Sequence, residues 1–199
     1  KLNNSAVIKN PINTKFWKPM LLKKKKTKII LFGSVDVNTD ERKGLYSFLD
    51  KLSHINKFLP DFELYIFGGN VNKNYNYNFK VVNLGYLEPK RLRHYYNLAD
   101  VYVITSKQDN FPNTAVEAMS CGTPVITVKN NGLKEIIYKK VNGIVLKNFS
   151  KAELKNALNW SFKQNNQKKI NSIIYNEVSE SVISRNYYNY YKKIYYDKN

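Results

Sequence analysis

Two acids, Asp109 and Glu117, have seven residues between them in the segment DNFPNTAVE. Pro112 between them is typical of the first position of a helix, and the apolar pattern after it extends that helix past Glu117. The backbone amides of residues 113–115 would have no partner inside the helix. Such a helix start attracts phosphate through its amides and its dipole.

Carboxylates beside a phosphate site indicate a ligand with hydroxyl groups on either side of its phosphates. A nucleotide sugar has this form, because a ribose and a hexose flank its diphosphate. Lys43, before Gly44, could balance the diphosphate charge. A simpler interpretation stays open at this point. Asp109 and Asn110 could cap the helix, and Glu117 could be a solvated helix acid.

The elements that must position these residues alternate between apolar strands and one-faced helices. This order predicts an α/β fold, a Rossmann-like parallel sheet with helices on both faces. Ligands bind such sheets at the carboxyl ends of the strands. Four of these ends are Gly33-Ser34, Gly68-Gly69, Gly85-Tyr86-Leu87 and Ser106-Lys107.

The chain divides into three predicted parts. Residues 1–26 form a lead-in or linker with one short strand around residues 6–9. Residues 27–176 form the Rossmann-like domain. Residues 177–199 form a last helix, beginning at about Glu177 and ending at about Tyr196, whose tyrosine-rich face we expect to be partly bare.

Composition limits the classes of function. The chain has 199 residues, is 43% hydrophobic and carries a formal net charge of +18. It has no apolar run long enough to cross a membrane, and its single cysteine, Cys121, excludes a cysteine-based zinc site, so we expect a reducing, cytoplasmic setting. The charge favours polyanions, which leaves a basic nucleic-acid-binding protein as an alternative. The lysines are scattered, however, so nucleic acid is not the expected partner.

Several segments in order resemble a known family: ILFGS, LYIFGG, VVNLGYL, LRHYYNLADVYVITS and DNFPNTAVEAMSCGTPVI. The chain is similar to the C-terminal, donor-binding domain of retaining GT-B glycosyltransferases of the group 1, or family-4, class. The resemblance runs from about Val7 to the final helix. The segment from Asp109 to Pro124 is its most specific part.

The resemblance implies a role for each matching residue. Asp109, Glu117 and Lys43 take the catalytic positions: Glu117 would bind the donor ribose, Asp109 would lie near the hexose, and Lys43 would contact the diphosphate. The other donor-binding positions lie at the strand ends and before the helix. They are Gly33, Ser34, Tyr86, Leu87, Asn110, Phe111, Pro112, Asn113 and Thr114.

Two departures from the family pattern matter. Ser34 stands where many members have an arginine, so the site loses a positive charge unless Arg42 or Lys107 replaces it. Asn131-Gly132 replaces the usual Gly-Gly. Neither His54 nor His94 matches the catalytic histidine of the family's N-terminal domain, which this sequence does not contain.

The implied reaction moves a hexosyl unit from a UDP-, GDP- or ADP-sugar to an acceptor hydroxyl with retention of configuration. No metal or other cofactor is expected. The implied partners are the donor, a sugar or lipid-linked acceptor and an N-terminal acceptor domain, without which this chain would bind donor but turn it over poorly or not at all. The DNFPNT wording is associated with bacterial surface-polysaccharide synthesis. The run Lys23–Lys26 leaves open a peripheral contact with the inner face of the membrane.

Overall fold

The computed structural model describes residues 5–34, 40–69, 77–106, 109–129 and 132–196. Six strands lie within these ranges. They are β1 (Lys28–Gly33), β2 (Phe62–Phe67), β3 (Lys80–Gly85), β4 (Val101–Ile104), β5 (Val125–Val128) and β6 (Gly143–Leu146).

Helices follow most of the strands and close the chain. They are α1 (Leu45–Ile55), α2 (Pro89–Leu98), α3 (Asn113–Ser120), α4 (Lys151–Ser161), α5 (Gln167–Val178) and α6 (Glu180–Tyr196). Short 3-10 turns occupy Glu41–Lys43, Asn56–Phe58 and Gly132–Glu135. The predicted α/β order is therefore confirmed.

The strands form one parallel sheet in the order β3-β2-β1-β4-β5-β6. The chain leaves β3 at one edge and returns to β4 beside β1, where Phe32 pairs with Val103. The direction of winding reverses between β1 and β4. In sheets of this type the crevice outside that reversal, at the carboxyl ends of the strands, is the place where ligands bind.

The sheet has an apolar core on each face. Alternate residues of β1 point to opposite faces, so Ile29 and Leu31 join one core while Ile30 and Phe32 join the other. Residues of α2, α3 and α5 cover the first core, and residues of α1 and α4 cover the second. Burial on both faces explains why the strands are continuously apolar in sequence.

The lead-in departs from the prediction, because residues 6–9 form no strand. The segment contacts the end of α5 through side chain and backbone: Lys9 pairs with Glu177, and the Ile12 amide donates to the Val178 carbonyl at 2.9 Å. Trp17 is buried against the ring of Tyr96. The segment crosses the end of α5, where it forms a single backbone bridge, between Ile12 and Ser179. It does not run along an outer strand of the sheet, with which a whole strand could pair.

The prediction for the last helix was wrong at its start. Glu177 lies inside α5, which ends at Val178, and α6 begins at Glu180. Ser179 between them is extended, with φ −60° and ψ 151°, and bridges to Ile12. The break depends on this distant contact, so no glycine or proline marks it in the sequence. The exposed face of α6 is as expected, with Tyr187, Tyr188, Tyr191, Tyr195 and Tyr196 all exposed.

Candidate functional site

The start of α3 lies beside the β1–β4 crevice. Pro112 is extended and precedes the helix, which begins at Asn113, so the prediction that Pro112 is the first helical residue was wrong by one position. The prediction of three free amides was also wrong, because the Ala115 amide donates to the Pro112 carbonyl at 3.1 Å. The amides of Asn113 and Thr114 have no acceptor among the described residues.

Tyr102 connects this helix start to β1. Its side chain is fully buried, and its hydroxyl donates to the carbonyl of Gly33 at the end of β1. The same oxygen lies 3.1 Å from Oγ1 of Thr114 in the first turn of α3. The two sides of the crevice are therefore held together by one buried hydroxyl group.

A tight turn places Lys43 at the same edge. The Thr105 hydroxyl, just after β4, donates to the Lys43 carbonyl at 2.8 Å. Gly44 has φ +74°, and a Cβ there would lie 2.7 Å from Oγ1 of Thr105, so this position requires glycine. The Lys43 side chain is partly exposed and forms no ion pair within the described parts of the chain.

Arg42 does not replace the missing arginine in this structure. Its guanidinium forms a bidentate pair with Asp40, with both nitrogen–oxygen distances at 2.9 Å. This pairing lowers the pKa of Asp40 and neutralises the charge locally. Lys107, the other candidate, lies outside the described residues. Lys43 is therefore a cation without an ion pair in the described structure, and its backbone is fixed at the carboxyl end of β4.

Glu117 has an environment unlike that of a solvated helix acid. Burial raises the pKa of its carboxyl group to about 7, against a hydrogen bond from Tyr96 that lowers it. The Tyr96 hydroxyl donates to Oε2 of Glu117 at 3.2 Å. No lysine or arginine of the described chain pairs with this carboxyl. A partly buried acid without a cation, in a chain of charge +18, indicates a carboxyl that is kept for a ligand.

Asp109 and Asn110 are held by the turn at Gly132. The Gly132 amide donates to the Asp109 carbonyl at 3.2 Å. A Cβ at Gly132 would lie 1.8 Å from the carbonyl oxygen of Asn110, so no larger residue fits without moving this loop. Phe111 packs against the first core and anchors the other end of the loop. Gly132, the second residue of the family's Gly-Gly pair, is therefore needed because the backbone of Asn110 lies against it.

The remaining predicted positions lie along the same edge of the sheet. Ser34 is buried, and a Cβ at Gly68 would lie 1.6 Å from its carbonyl, so the ends of β1 and β2 are in close contact. Tyr86 is 69% exposed beyond β3, while Leu87 packs on the first core. Because β3 is the outermost strand and β2 separates it from β1, these two residues are two strands away from Gly33.

The segment from residue 13 to residue 178 matches the family described as "Glycosyl transferases group 1". The chain belongs to this glycosyltransferase family. An uncharacterized glycosyltransferase of Methanocaldococcus jannaschii is 48% identical to it over 65 residues, which are 33% of this chain and 17% of that protein. The chain therefore matches only a small part of that relative.

Two solved structures share the fold of this glycosyltransferase chain. Anabaena HepE, crystallised with UDP and glucose, superposes with a TM-score of 0.74 at 18% identity, over 94% of this chain and 57% of that one. The C-terminal domain of a group 1 glycosyl transferase from Francisella tularensis gives 0.67 at 17% identity, over 85% of this chain and 99% of that domain. These matches confirm the Rossmann-like fold, one half of the GT-B architecture.

Sequence analysis of this glycosyltransferase chain missed the residues that hold the site together. Tyr102 and Thr105 belong to the apolar segment VYVITS and Tyr96 to a mostly polar helix, so none of them stands out in the sequence as a site residue. Ser106 was noted only as the end of a strand. Its Oγ is buried and has no hydrogen-bond partner among the described residues. A hydroxyl group close to the carboxyl end of an apolar strand is the signal that could have found Thr105 and Ser106, whereas Tyr96 and Tyr102 carry no such signal.

The described ranges contain neither a metal-binding cluster nor a membrane-spanning helix. No group of three or more His, Cys, Asp or Glu side chains there is arranged to hold a metal ion. No helix in those ranges is long and apolar enough to cross a membrane.

Proposed function

We propose that this chain is the donor-binding half of a retaining GT-B glycosyltransferase. It would bind a nucleoside diphosphate sugar at the β1–β4 crevice, for transfer of the hexosyl unit to an acceptor hydroxyl. One observation carries the proposal. Within the described residues, the amides of Asn113 and Thr114 at the start of α3 have no acceptor, and the carboxyl of Glu117 on the same helix has no cationic partner.

The arrangement of charges suits this class of ligand. The diphosphate would contact the amides of α3 and the ammonium group of Lys43. Glu117 would accept hydrogen bonds from the ribose hydroxyls, and Asp109 from the hexose. Tyr86 and Leu87, further along the edge of the sheet, would lie against the base. A free phosphate would gain nothing from either acid, because like charges repel.

The same groups account for the chemistry. When the bond to the hexose breaks, positive charge develops on the sugar and negative charge on the leaving diphosphate. The helix dipole and Lys43 are fixed close to the leaving group, so they stabilise that charge without reorganising. They supply the positive charge that a divalent cation would otherwise provide. Glu117 binds the ribose in this account and does not act as an acid or base.

The acceptor side belongs to a second domain. We propose that an N-terminal half supplies the acceptor site and that the acceptor is a sugar or a lipid-linked sugar. The DNFPNT segment supports a role in the synthesis of a bacterial surface polysaccharide, at the cytoplasmic face of the membrane. HepE was crystallised with UDP and glucose, which supports UDP as the first nucleotide to test. GDP and ADP remain alternatives.

Calorimetric titration tests the proposal. The chain is titrated with UDP, GDP and ADP and with their glucose and mannose conjugates, in parallel with Glu117→Gln and a surface control, Glu180→Gln. We expect selective binding of one base, at least tenfold weaker in Glu117→Gln and unchanged in the control. Absence of binding to every nucleotide by the folded chain would contradict the proposal.

The polyanion alternative gives a different result in the same experiment. A protein that binds polyanions in general should have similar affinities for UDP, GDP and ADP. Glu117→Gln should leave those affinities unchanged. Binding of nucleic acid would also weaken steeply as salt is added, since it depends on releasing counterions. A short single-stranded oligonucleotide, titrated at two salt concentrations, provides this comparison.

A further inference from the structure

The hydroxyl group of Tyr96 is buried and has one hydrogen-bond partner in the described structure. The side chain, in the last turns of α2, is fully buried among the rings of Trp17, Phe67 and Tyr102. Its hydroxyl lies 3.2 Å from Oε2 of Glu117. A buried hydroxyl left without an acceptor is costly, so this contact holds both side chains in place.

The contact makes the two carboxylate oxygens of Glu117 different from each other. Oε2 accepts from Tyr96, whereas Oε1 has no hydrogen-bond partner among the described residues. Oε1 is therefore the oxygen that a ligand hydroxyl could use. If Tyr96 did not hold Oε2, the carboxyl could rotate and the geometry offered to the ligand would be lost.

We propose that Tyr96 is a positioning residue for the donor site: it orients the Glu117 carboxyl and favours the ionised form that accepts hydrogen bonds from a vicinal diol. This inference rests on the proposed function, because it takes the diol to be the donor ribose. Tyr96 itself does not touch the ligand in this account. It acts through Glu117 alone.

The groups around Glu117 leave Tyr96 as its controlling contact. Tyr102 of β4 and Cys121 of α3 also face the carboxyl electrostatically, and burial raises the pKa of both, that of Cys121 to about 12. Both are thus neutral at pH 7. Arg93 of α2 interacts with Cys121 and is not an ion-pair partner of Glu117, and Asp109 interacts with Tyr102. Among the described contacts, the hydrogen bond from the Tyr96 hydroxyl is the one that favours the ionised carboxyl.

Tyr96→Phe removes the hydroxyl group and keeps the ring. Thr123 bonds to the backbone carbonyl of residue 96, so that contact is also kept. The chemical shift of the Glu117 side-chain carboxyl carbon is measured by NMR from pH 5 to pH 9. Its signal is assigned as the one that is missing in Glu117→Gln. We expect its pKa to rise by about one unit in Tyr96→Phe. The control is Tyr95→Phe, in which the neighbouring ring packs on Tyr65 and the titration should not move.

Binding of UDP, measured by calorimetry over the same pH range, provides the functional readout. Wild-type affinity should rise with pH through about 7, because the bound diol stabilises the carboxylate. In Tyr96→Phe the rise should move to higher pH, giving at least about fivefold weaker binding at pH 7. A smaller loss should persist at pH 9, because the carboxyl is ionised there but no longer oriented by Tyr96. In the Glu117→Gln background, Tyr96→Phe should have no pH-dependent effect.

The outcomes separate the two claims. An unchanged carboxyl titration in Tyr96→Phe, or a UDP affinity equal to that of the wild type at every pH, would overturn the positioning role. The titration alone decides whether Tyr96 controls Glu117. Failure of UDP to bind the wild-type chain, with the titration shifted as expected, would count against the proposed function and not against the contact.

Discussion

At the residue scale, the environment of Glu117 decides what the site can bind. Its carboxyl is partly buried, accepts a hydrogen bond from Tyr96 and has no cationic partner among the described residues. Keeping such a group ionised costs folding free energy. This carboxyl is without a cationic partner in a chain of net charge +18. The unpaired acid is best explained by a ligand that supplies hydrogen-bond donors.

The cost of this carboxyl predicts a pH-dependent change in stability. The folded pKa of about 7 lies above the usual 4.5, so the folded state binds more protons and stability falls as pH rises from about 4.5 through 7. Gln cannot ionise and still accepts from Tyr96. Glu117→Gln should therefore raise the free energy of unfolding by about 2 kcal/mol at pH 8 and change it little at pH 4. Urea unfolding at both pH values checks this, and equal effects at the two pH values would contradict it.

Lys43 and Arg42 make a matched pair of adjacent cations. Lys43 has no ion-pair partner in the described structure, whereas Arg42 is held by Asp40. Lys43→Met should weaken binding of a nucleoside diphosphate by about tenfold and leave binding of the nucleoside unchanged, because a charge-assisted contact to phosphate is lost. Arg42→Met should have a much smaller effect. Calorimetry on both variants measures the difference, and equal losses would count against the role of Lys43.

At the element scale, the sequence predicts the order of strands and helices but not every boundary. Continuous apolar strands ending in glycine predicted the sheet, and Pro112 predicted the start of α3 to within one residue. The break at Ser179 depends on the backbone of Ile12, which is far away in sequence. The same holds for the site. Tyr96 and Tyr102 look like core residues until the fold brings their hydroxyl groups to Glu117 and Gly33.

The start of α3 can be tested without disturbing the helix. Asn113 is the first helical residue, a position that favours proline, and Pro112 before it is already extended. Asn113→Pro removes one free amide and should weaken binding of the diphosphate by about tenfold with little change in melting temperature. Asn113→Ala keeps the amide and serves as the control. If both variants bind equally well, the amide is not a phosphate ligand.

At the scale of the whole molecule, the charge of +18 surrounds a site that we expect to be selective. Many of the lysines are exposed or paired, as Lys80 is with Glu63. General attraction to anions is screened by salt, whereas contacts inside a crevice are screened less. The exposed tyrosines of α6 form a second notable surface. We propose that this exposed face contacts the N-terminal half.

Salt separates the general attraction from specific binding. Raising the salt concentration from 0.1 to 0.5 M should weaken nucleotide-sugar binding by roughly threefold and oligonucleotide binding by two or more orders of magnitude. Fluorescence anisotropy with a labelled oligonucleotide, and calorimetry with the nucleotide sugar, measure the two effects. Parallel losses would indicate that the nucleotide binds as a general anion.

The most direct test of the central claim is to locate the nucleotide on the chain. Backbone amide shifts are measured by NMR as UDP is added. We predict that the largest changes occur at Asn113 and Thr114 and at the Lys43–Gly44 turn, on the edge where β1 and β4 end. The opposite edge, around Lys28 and Phe62, should not respond. Largest changes at that opposite edge, or changes spread evenly over the lysines, would contradict the account.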